Sequence, residues 1–356
     1  MAKERNHAFD ILCGICIIRM VTLHIMAFCG KDKVDWWLEV MQWSYFFMSF
    51  FFFKAGYFNK GTGTNDKEYL TDRCKRLLIP YLSAGLIGLA IYFAFYPHLT
   101  ARYKGWVEPL QIEHIWENAG FYGNGPVWFL FSFFCVYILV HYIEKIKYLH
   151  WIVISFPLIS YLLWTWGNPL WMSTNNVFMA TFFFYLGRLW HILMQRYSKK
   201  QIRYLSLVLT IIFIAVNFIH PGKYVMSYNE FSGCSLTAVT NATCALCGLS
   251  GLLLTAPPVR IPILCFIGEH SMVYFISHYP MLYFYKFMHL SYGRSIYNRW
   301  DDVLILIPAV FCICSWFVPY IEQIPWLSGR WKSSTQPRLP LDVRNQPGTD
   351  AQNNQG

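Results

Sequence analysis

Residues 9–24 of the chain have the sequence F-D-I-L-C-G-I-C-I-I-R-M-V-T-L-H. The run is apolar enough to enter a membrane, yet it carries Asp10 at its start, Arg19 in its middle and His24 towards its end. Ionisable side chains at membrane depth cost about 3 kcal/mol each on insertion scales, so they usually mark a site, a relay or a pathway. The stretch therefore predicts a spanning helix with a functional histidine. The alternative is that Arg19 snorkels or pairs with a neighbouring helix and His24 is structural.

The composition is typical of a membrane protein. Of the 356 residues, 56% are hydrophobic and only 13% are charged, with 30 Phe, 24 Tyr and 15 Trp. A soluble domain carries roughly 25% charged residues, so the chain is expected to cross the membrane several times. The net charge is +10, but the basic residues form no stripe on a soluble segment, which argues against nucleic-acid binding. The 11 cysteines lie mostly in apolar segments, so neither a disulfide framework nor a metal site is expected.

Ten apolar segments approach the length that spans a hydrocarbon core, which takes about 20 residues per helix. Continuous apolar runs, in place of alternating ones, favour helices over a closed barrel. We therefore predict an all-α, polytopic membrane helix bundle of about ten transmembrane helices. The segments are 8–29, 36–58, 76–97, 126–144, 149–166, 174–194, 202–220, 233–255, 263–288 and 302–320.

The positive charges predict the orientation. With ten spans and both ends on one side, that side receives 18 of the 29 Lys and Arg residues, and the opposite loops receive 7. Cytoplasmic loops carry such an excess, so both termini are expected in the cytoplasm. Residues 1–325 are predicted to form the membrane domain. The tail 326–356 is polar and rich in Pro, Asn, Gln and Gly, so it is expected to be a disordered cytoplasmic tail.

A second histidine is predicted near mid-membrane. The ninth segment contains Gly268-Glu269-His270-Ser271 and then Ser277-His278. If the helix starts near Gly268, His278 lies ten residues further on, at a depth of about 15 Å. Glu269 is then at the cytoplasmic mouth. We assign His24, His278, Asp10 and Glu269 to the catalytic group, against the alternative that these side chains serve packing alone.

Arg73-Cys74-Lys75-Arg76 stands at the cytoplasmic entry to the third segment. Arginines three residues apart share a helix face, so both guanidinium groups are placed to bind one polyanion. Two further basic residues in the preceding loop, Lys60 and Lys67, favour the alternative of ordinary positive-inside charge. We predict that Arg73 and Arg76, together with Arg19, bind an anionic cofactor.

The longest outer connection, residues 98–125, mixes aromatic and acidic residues. Trp116 and Glu113 lie in it, and Trp128 follows at the start of the fourth segment. These three are predicted to bind the substrate. Small residues at Ala55 and Gly56 are expected to permit close helix contact.

Together these pieces resemble membrane acyltransferase family 3. The resemblance covers roughly residues 8–320. It is carried by Asp10 to His24, by Phe51 to Tyr57, by Arg73-x-x-Arg76 leading into Leu77-Leu78-Ile79-Pro80-Tyr81, by Gly125 to Leu130, and by Gly268-Glu-His-Ser with His278.

The resemblance implies a concrete function. Family members are thought to move an acyl group, usually acetyl, from cytoplasmic acyl-CoA to a sugar hydroxyl of a bacterial surface polysaccharide or its precursor. It implies a multi-pass protein of the inner membrane whose partners are acetyl-CoA or another acyl-CoA, a carbohydrate acceptor and the lipid bilayer, with a homo-oligomer left open. His24 matches the family's proposed catalytic histidine. Arg73 and Arg76 match the pair proposed to engage CoA.

One position departs from the family pattern. The family commonly has an arginine eleven residues before the catalytic histidine, where this chain has Cys13. Eleven residues make three helical turns, so Cys13 and His24 share a face from which the usual charge is missing. Arg19 lies about 140° around the helix from His24, which makes it an imperfect substitute.

Two chemical routes and several other functions stay open at this point. His24 is predicted either to take the proton of a sugar hydroxyl that attacks a thioester, or to carry the acyl group itself as an acyl-imidazole. The alternative of another class is a proton-coupled transporter or flippase, with Arg19, His24 and His278 as a proton pathway. The remaining alternatives are an acyltransferase of a different membrane family and a structural subunit.

Overall fold

The computed structural model describes residues 6–59, 65–100, 112–220, 222–294 and 299–331, without the side chains of 96–100, 112 and 114. Residues 101–111 of the predicted outer connection lie outside the described residues, as does the tail from residue 332. Residues 325–331, where the predicted tail begins, are described below.

The regular secondary structure of the described residues is helical, apart from one short β-hairpin. The helices are α1 Ala8–Phe28, α2 Asp35–Trp43, α3 Phe47–Tyr57, α4 Asp66–Arg73, α5 Ile79–Thr100, α6 Ile112–Asn118, α7 Trp128–Lys145, α8 Phe156–Thr165, α9 Val177–Arg196, α10 Lys199–Ile219, α11 Ser235–Thr255, α12 Pro262–Glu269, α13 Ser271–Ser291, α14 Trp300–Ile321 and α15 Pro325–Ser328. Strands β1 Lys223–Val225 and β2 Glu230–Ser232 pair antiparallel, with Tyr224 opposite Phe231.

Seven helices in the described residues are long and apolar enough to cross a membrane, by length and composition. The prediction of an all-α polytopic bundle is therefore confirmed, while the count of ten and the side of the termini stay predictions. The seven are Ala8–Phe28, Asp66–Phe95, Gly125–Lys145, Thr174–Arg196, Lys199–Ile219, Ser235–Thr255 and Trp300–Ile321.

The other three predicted segments are interrupted. Segment 36–58 is divided into α2 and α3, segment 149–166 begins with the 3₁₀ turn Leu149–Ser155, and segment 263–288 is divided at His270. The first break lies at Ser44, whose hydroxyl donates to the Val40 carbonyl (2.7 Å) and accepts from Arg19 Nε (3.0 Å).

Helix α1 is the central element of the bundle. It packs against α3, α11, α12, α13 and α14, and Ile17, Val21 and Ile25 on it are fully buried. We call the end where α1 begins the Ala8 side. The ends of α3, α9, α11 and α14 lie there as well, as shown by contacts of Tyr57 with Phe9 and His191, of Asn6 with Leu254, and of His270 with Glu322.

The opposite end is called the Phe28 side. Lys31 lies over the ring of Trp300 at the start of α14, and the Gln42 amide donates to the Asn217 carbonyl near the end of α10. The β1–β2 hairpin follows α10 there. The two sides therefore carry different loops, and the functional groups can be assigned to one or the other.

Two helices come into close contact at one of the small residues, Gly56, where such contact was predicted. Helices α3 and α9 cross at Gly56 and Gly187, and a Cβ on either glycine would overlap a carbonyl oxygen of the other helix, that of Phe184 or Phe53. The predicted role of Gly56 in close packing is confirmed.

The C-terminal described segment packs on the start of α5. The Trp331 indole N–H donates to the Lys75 carbonyl (2.8 Å), and Gly329 lies against the Arg76 backbone with a left-handed φ of 67°. The segment 325–331 thus covers the π-helical turn Cys74–Leu78 that joins α4 to α5.

Candidate active site

His24 and His278 lie against each other in the middle of the bundle. Their ring centroids are 5.2 Å apart with 33° between the planes, and Tyr279 meets the His24 ring edge-on at 5.1 Å. His24 lies one turn before the end of α1, and the side chain of His278 in α13 is fully buried. The structure thus brings the two sequence-predicted histidines into one site.

The hydrogen bond of His278 fixes its tautomer. Nδ1 lies 2.8 Å from the Tyr274 carbonyl oxygen, which only accepts, so Nδ1 carries the proton. Nε2 is buried and has no hydrogen-bond partner among the described residues. In the neutral ring Nε2 therefore presents a lone pair, suited to accept an N–H from a neighbouring group such as His24.

A cavity of about 490 Å³ opens from His24 towards the Phe28 side. We call it the His24 cavity. Its polar lining includes Arg19, Asp32, Tyr45 and Trp128. It is wide enough for a small polar substrate whose reacting atom meets the His24 ring.

Arg19 belongs to the His24 cavity, although it lies about 140° around α1 from His24. The cavity curves around the helix, so both residues reach it. Arg19 Nε donates to the Ser44 hydroxyl, and the guanidinium carbon lies 3.9 Å from the Phe47 ring centroid. Nη1 and Nη2 are buried without a described hydrogen-bond partner. Arg19 therefore supplies a positive charge next to His24.

A second cavity of about 540 Å³ lies nearer the Ala8 side. We call it the Arg73 cavity. Its cations are Arg73 and Lys54, and the rest of its wall is largely aromatic and aliphatic, with Phe51, Phe129 and Phe275. The Arg73 guanidinium carbon lies 4.2 Å from the Tyr137 ring centroid. The cavity thus combines two positive charges with an apolar interior.

The two cavities approach each other end to end. On α7 adjacent residues line them, Trp128 the His24 cavity and Phe129 the Arg73 cavity. On α13 the lining residues Tyr279 and Phe275 are one turn apart. His24 lines the His24 cavity, and His278 lies on α13 between Phe275 and Tyr279, so the histidine pair is close to the place where the two cavities approach each other.

Arg73 and Arg76 lie in different surroundings. The Arg73 side chain is 23% exposed and lines its cavity, whereas that of Arg76 is 58% exposed and its Nε lies 2.7 Å from Asp72. The π-helical turn at Cys74–Leu78 begins between them and breaks the three-residue periodicity from which a shared face was expected. The structure thus places one of the two arginines in the cavity.

Asp10 and Glu269 lie away from the histidine pair. Asp10 is fourteen residues before His24 on one helix, a rise of about 21 Å. Donor atoms of His7, Asp10 and Glu269 lie within 4.8 Å of one another on the Ala8 side, a spacing that could hold a metal ion. His7 Nδ1 is 3.1 Å from Asp10. The structure does not bring these acids together with His24, so a catalytic role for them stays a prediction.

The predicted substrate-binding residues are divided between two places. Trp128 lines the His24 cavity. Trp116 is exposed on α6 and stacks on Trp171, with centroids 4.5 Å apart and planes 7° apart, and Glu113 is exposed one turn before it. Sequence reasoning did not find Trp171 or Tyr279. Trp171 follows the turn signal Gly167-Asn168-Pro169, which marks a loop but not its aromatic partner.

The helices define a multi-pass membrane protein, and two cavities lie inside its bundle. The family model described as an acyltransferase domain matches residues 6–318, and the chain belongs to this family, membrane acyltransferase family 3. No curated protein and no solved structure matches the chain. The family supports a membrane acyltransferase over the transporter interpretation.

Proposed function

We propose that the protein transfers an acyl group, acetyl in the first instance, from acyl-CoA to a sugar hydroxyl of a cell-surface polysaccharide or its precursor. The Ala8 side faces the cytoplasm and the Phe28 side the exterior of the bacterial inner membrane. The observation that carries the proposal is the contact of His24 with His278 at the junction of two chemically different cavities.

The Arg73 cavity suits the donor. Acyl-CoA combines phosphate groups with an uncharged arm that ends in a thioester. Arg73 and Lys54 provide charge for phosphate, and the aromatic wall accommodates the arm and the acyl group. The excess of Lys and Arg on the same side supports a cytoplasmic mouth for this cavity, and acyl-CoA is found in the cytoplasm.

The His24 cavity suits the acceptor. Asp32 and Tyr45 are hydrogen-bonding groups for sugar hydroxyls, and Trp128 offers an aromatic surface to the sugar ring. A hydroxyl that reaches the His24 ring is then also near the thioester at the junction. The arrangement converts a reaction between two dilute molecules into one between held groups.

In the general-base route, a neutral His24 takes the hydroxyl proton while the oxygen attacks the thioester carbonyl. The C–S bond then breaks, and the imidazolium returns the proton to the departing thiolate, which leaves as CoA–SH. The His278 ring, whose centroid lies 5.2 Å from that of His24, packs against the His24 ring and holds it in position, so His278 is a positioning residue. Arg19 stabilises the negative charge on the carbonyl oxygen.

In the acyl-carrier route, a His24 nitrogen itself attacks the thioester and CoA leaves before the sugar hydroxyl takes the acyl group from the imidazole. The two routes differ in their kinetics. A burst of CoA–SH release without acceptor, stoichiometric with protein, indicates the carrier route. Release that requires acceptor indicates the general-base route.

The proposal is tested with detergent-purified protein and acetyl-CoA labelled in the acetyl group. Labelled ester is expected on a saccharide acceptor, with equimolar CoA–SH formed. A transporter or flippase leaves acetyl-CoA unconsumed. That outcome, reproduced with longer acyl-CoAs and a range of acceptors, would overturn the proposal.

A further inference from the structure

A third cavity, of about 440 Å³, lies on the Phe28 side beside the His24 cavity. Asn118, Ser227 and Tyr228 line both cavities, so the two are adjacent. We call it the outer cavity. A ligand bound at His24 can therefore extend into the outer cavity and stay in contact with the protein.

Loops from distant parts of the chain form the wall of the outer cavity. The Asn229 amide donates to Asn168 Oδ1 (2.8 Å), and the Asn168 amide donates to the Tyr228 carbonyl (2.8 Å). The Ser173 hydroxyl donates to the Asn118 carbonyl (2.9 Å) and ties α6 to the same wall. The amides that shape the cavity are therefore held by one another, and the wall is preorganised.

The same loops contain backbone conformations that L-residues rarely adopt. Asn168, Met172, Ser173 and Asn229 have φ values of 54°, 53°, 54° and 45°. Such residues cost free energy and concentrate at ligand sites, where the surrounding structure holds them in place. Asn168, Ser173 and Asn229 line the outer cavity, and three such residues around one cavity support a binding role for it.

An aromatic platform stands at this cavity. Trp171 lines it and is 52% exposed, and its other neighbour is the parallel ring of Trp116. Tyr228 is 63% exposed on the opposite loop. Interfacial tryptophans usually anchor a protein in lipid, but Trp171 instead shares a cavity with hydrogen-bonding groups. A rigid ring beside polar groups is the surface that binds the apolar face of a sugar while its hydroxyls are satisfied at the edge.

The charge of the outer cavity limits its ligand. Glu117 is the one acidic residue among the described residues that line it, and that lining contains no Lys, Arg or His. A uronic acid or a sulfated sugar would meet a carboxylate and no described counter-charge. A neutral sugar, or one with a positively charged amine near Glu117, suits the cavity.

We propose that the outer cavity is a second sugar subsite, which binds a neutral or amino sugar next to the residue that is acylated at His24. The natural acceptor is then a glycan of at least two sugars, with its neighbouring sugar on Trp171. This inference rests on the proposed function for the identity of the His24 cavity. It does not depend on the acyl donor.

Binding calorimetry of the purified full chain tests the subsite without acyl-CoA. The probes are saccharides of one to four units in two series: N-acetylglucosamine, which is neutral, and glucosamine with a free amine. Oligogalacturonates are the acidic comparison. We expect at least a tenfold gain in affinity from one to two units in a neutral or amino series. Trp171→Ala should remove this gain, and Trp171→Phe should retain part of it.

Trp166→Ala is the matched control, because Trp166 is a 72% exposed tryptophan five residues earlier that does not line the cavity. Melting curves check that each variant is folded. Equal affinity for one and two units, tighter binding of the acidic series, or unchanged affinities in Trp171→Ala would overturn the subsite. Failure of every saccharide to bind would overturn it as well. The acetyl-transfer assay, read separately, tells whether the proposed function fails too.

Discussion

The rings of His24 and His278 lie 5.2 Å apart although the residues are 254 positions apart in sequence. Helices α1 and α13 bring them together at the junction of two cavities, one with a cationic mouth and the other with polar walls. The pair therefore lies close to both cavities, and this relationship yields predictions for each of them.

His278→Ala is expected to lower kcat by about 10²-fold, because His24 loses the ring that packs against it and holds it in position. The KM for acetyl-CoA should change little, since His278 does not line the Arg73 cavity. Steady-state CoA–SH release measures both constants. His289→Ala, on the same helix, is the control and should behave as wild type. An unchanged kcat in folded His278→Ala would contradict the positioning role.

Arg73→Ala and Arg76→Ala are expected to differ, because Arg73 lines the donor cavity and Arg76 pairs with Asp72 outside it. Loss of a charge-assisted contact costs about 1.5–3 kcal/mol, so Arg73→Ala should weaken acetyl-CoA binding roughly 10- to 100-fold. A ligand that binds the folded state raises the melting temperature, which makes thermal shift the measurement. Equal loss in both variants would favour a shared phosphate site for the two arginines.

Arg19→Gln tests whether Arg19 acts in the His24 cavity or in donor binding. Its guanidinium lines the His24 cavity, so the variant should lower kcat by roughly tenfold or more while acetyl-CoA still shifts the melting temperature. The sequence alone favoured Arg19 as a donor-binding cation. A loss of the acetyl-CoA shift equal to that of Arg73→Ala would restore that assignment.

Gly56→Ala and Gly187→Ala should destabilise the bundle, because a methyl group on either residue overlaps a carbonyl oxygen of the facing helix. Overpacking of this kind costs about 1–3 kcal/mol, which thermal denaturation in detergent detects as a lower melting temperature. At Gly125 the nearest atom to an added Cβ is 3.7 Å away, so Gly125→Ala is the matched control. Equal melting temperatures for all three variants would show that the α3–α9 contact adjusts freely.

Much of the fold could be predicted from apolar run length. Predicted spans 8–29 and 302–320 agree closely with Ala8–Phe28 and Trp300–Ile321, because a continuous apolar run sets both the length and the ends of a membrane helix. Segment 36–58 shows the limit. Its interruption falls at Ser44, whose hydroxyl accepts a hydrogen bond from Arg19 of another helix, a tertiary contact that hydropathy does not encode.

The sequence predicted which residues belong to the candidate site, but it did not predict how they are arranged in space. Polar residues in apolar runs identified His24, His278 and Arg19, since such residues are rare at membrane depth. Their arrangement depends on how α1 and α13 pack, which one sequence does not reveal. The separation of Arg73 from Arg76 depends on the π-helical turn at Cys74–Leu78, which helical spacing alone does not predict.

The most direct test of the central claim is acetyl transfer by His24→Ala, measured with labelled acetyl-CoA and a saccharide acceptor beside wild type and His289→Ala. We predict that folded, membrane-inserted His24→Ala retains the acetyl-CoA thermal shift and loses transfer by at least 10²-fold, while His289→Ala keeps wild-type turnover. Wild-type turnover in His24→Ala would contradict a reaction centred on the histidine pair.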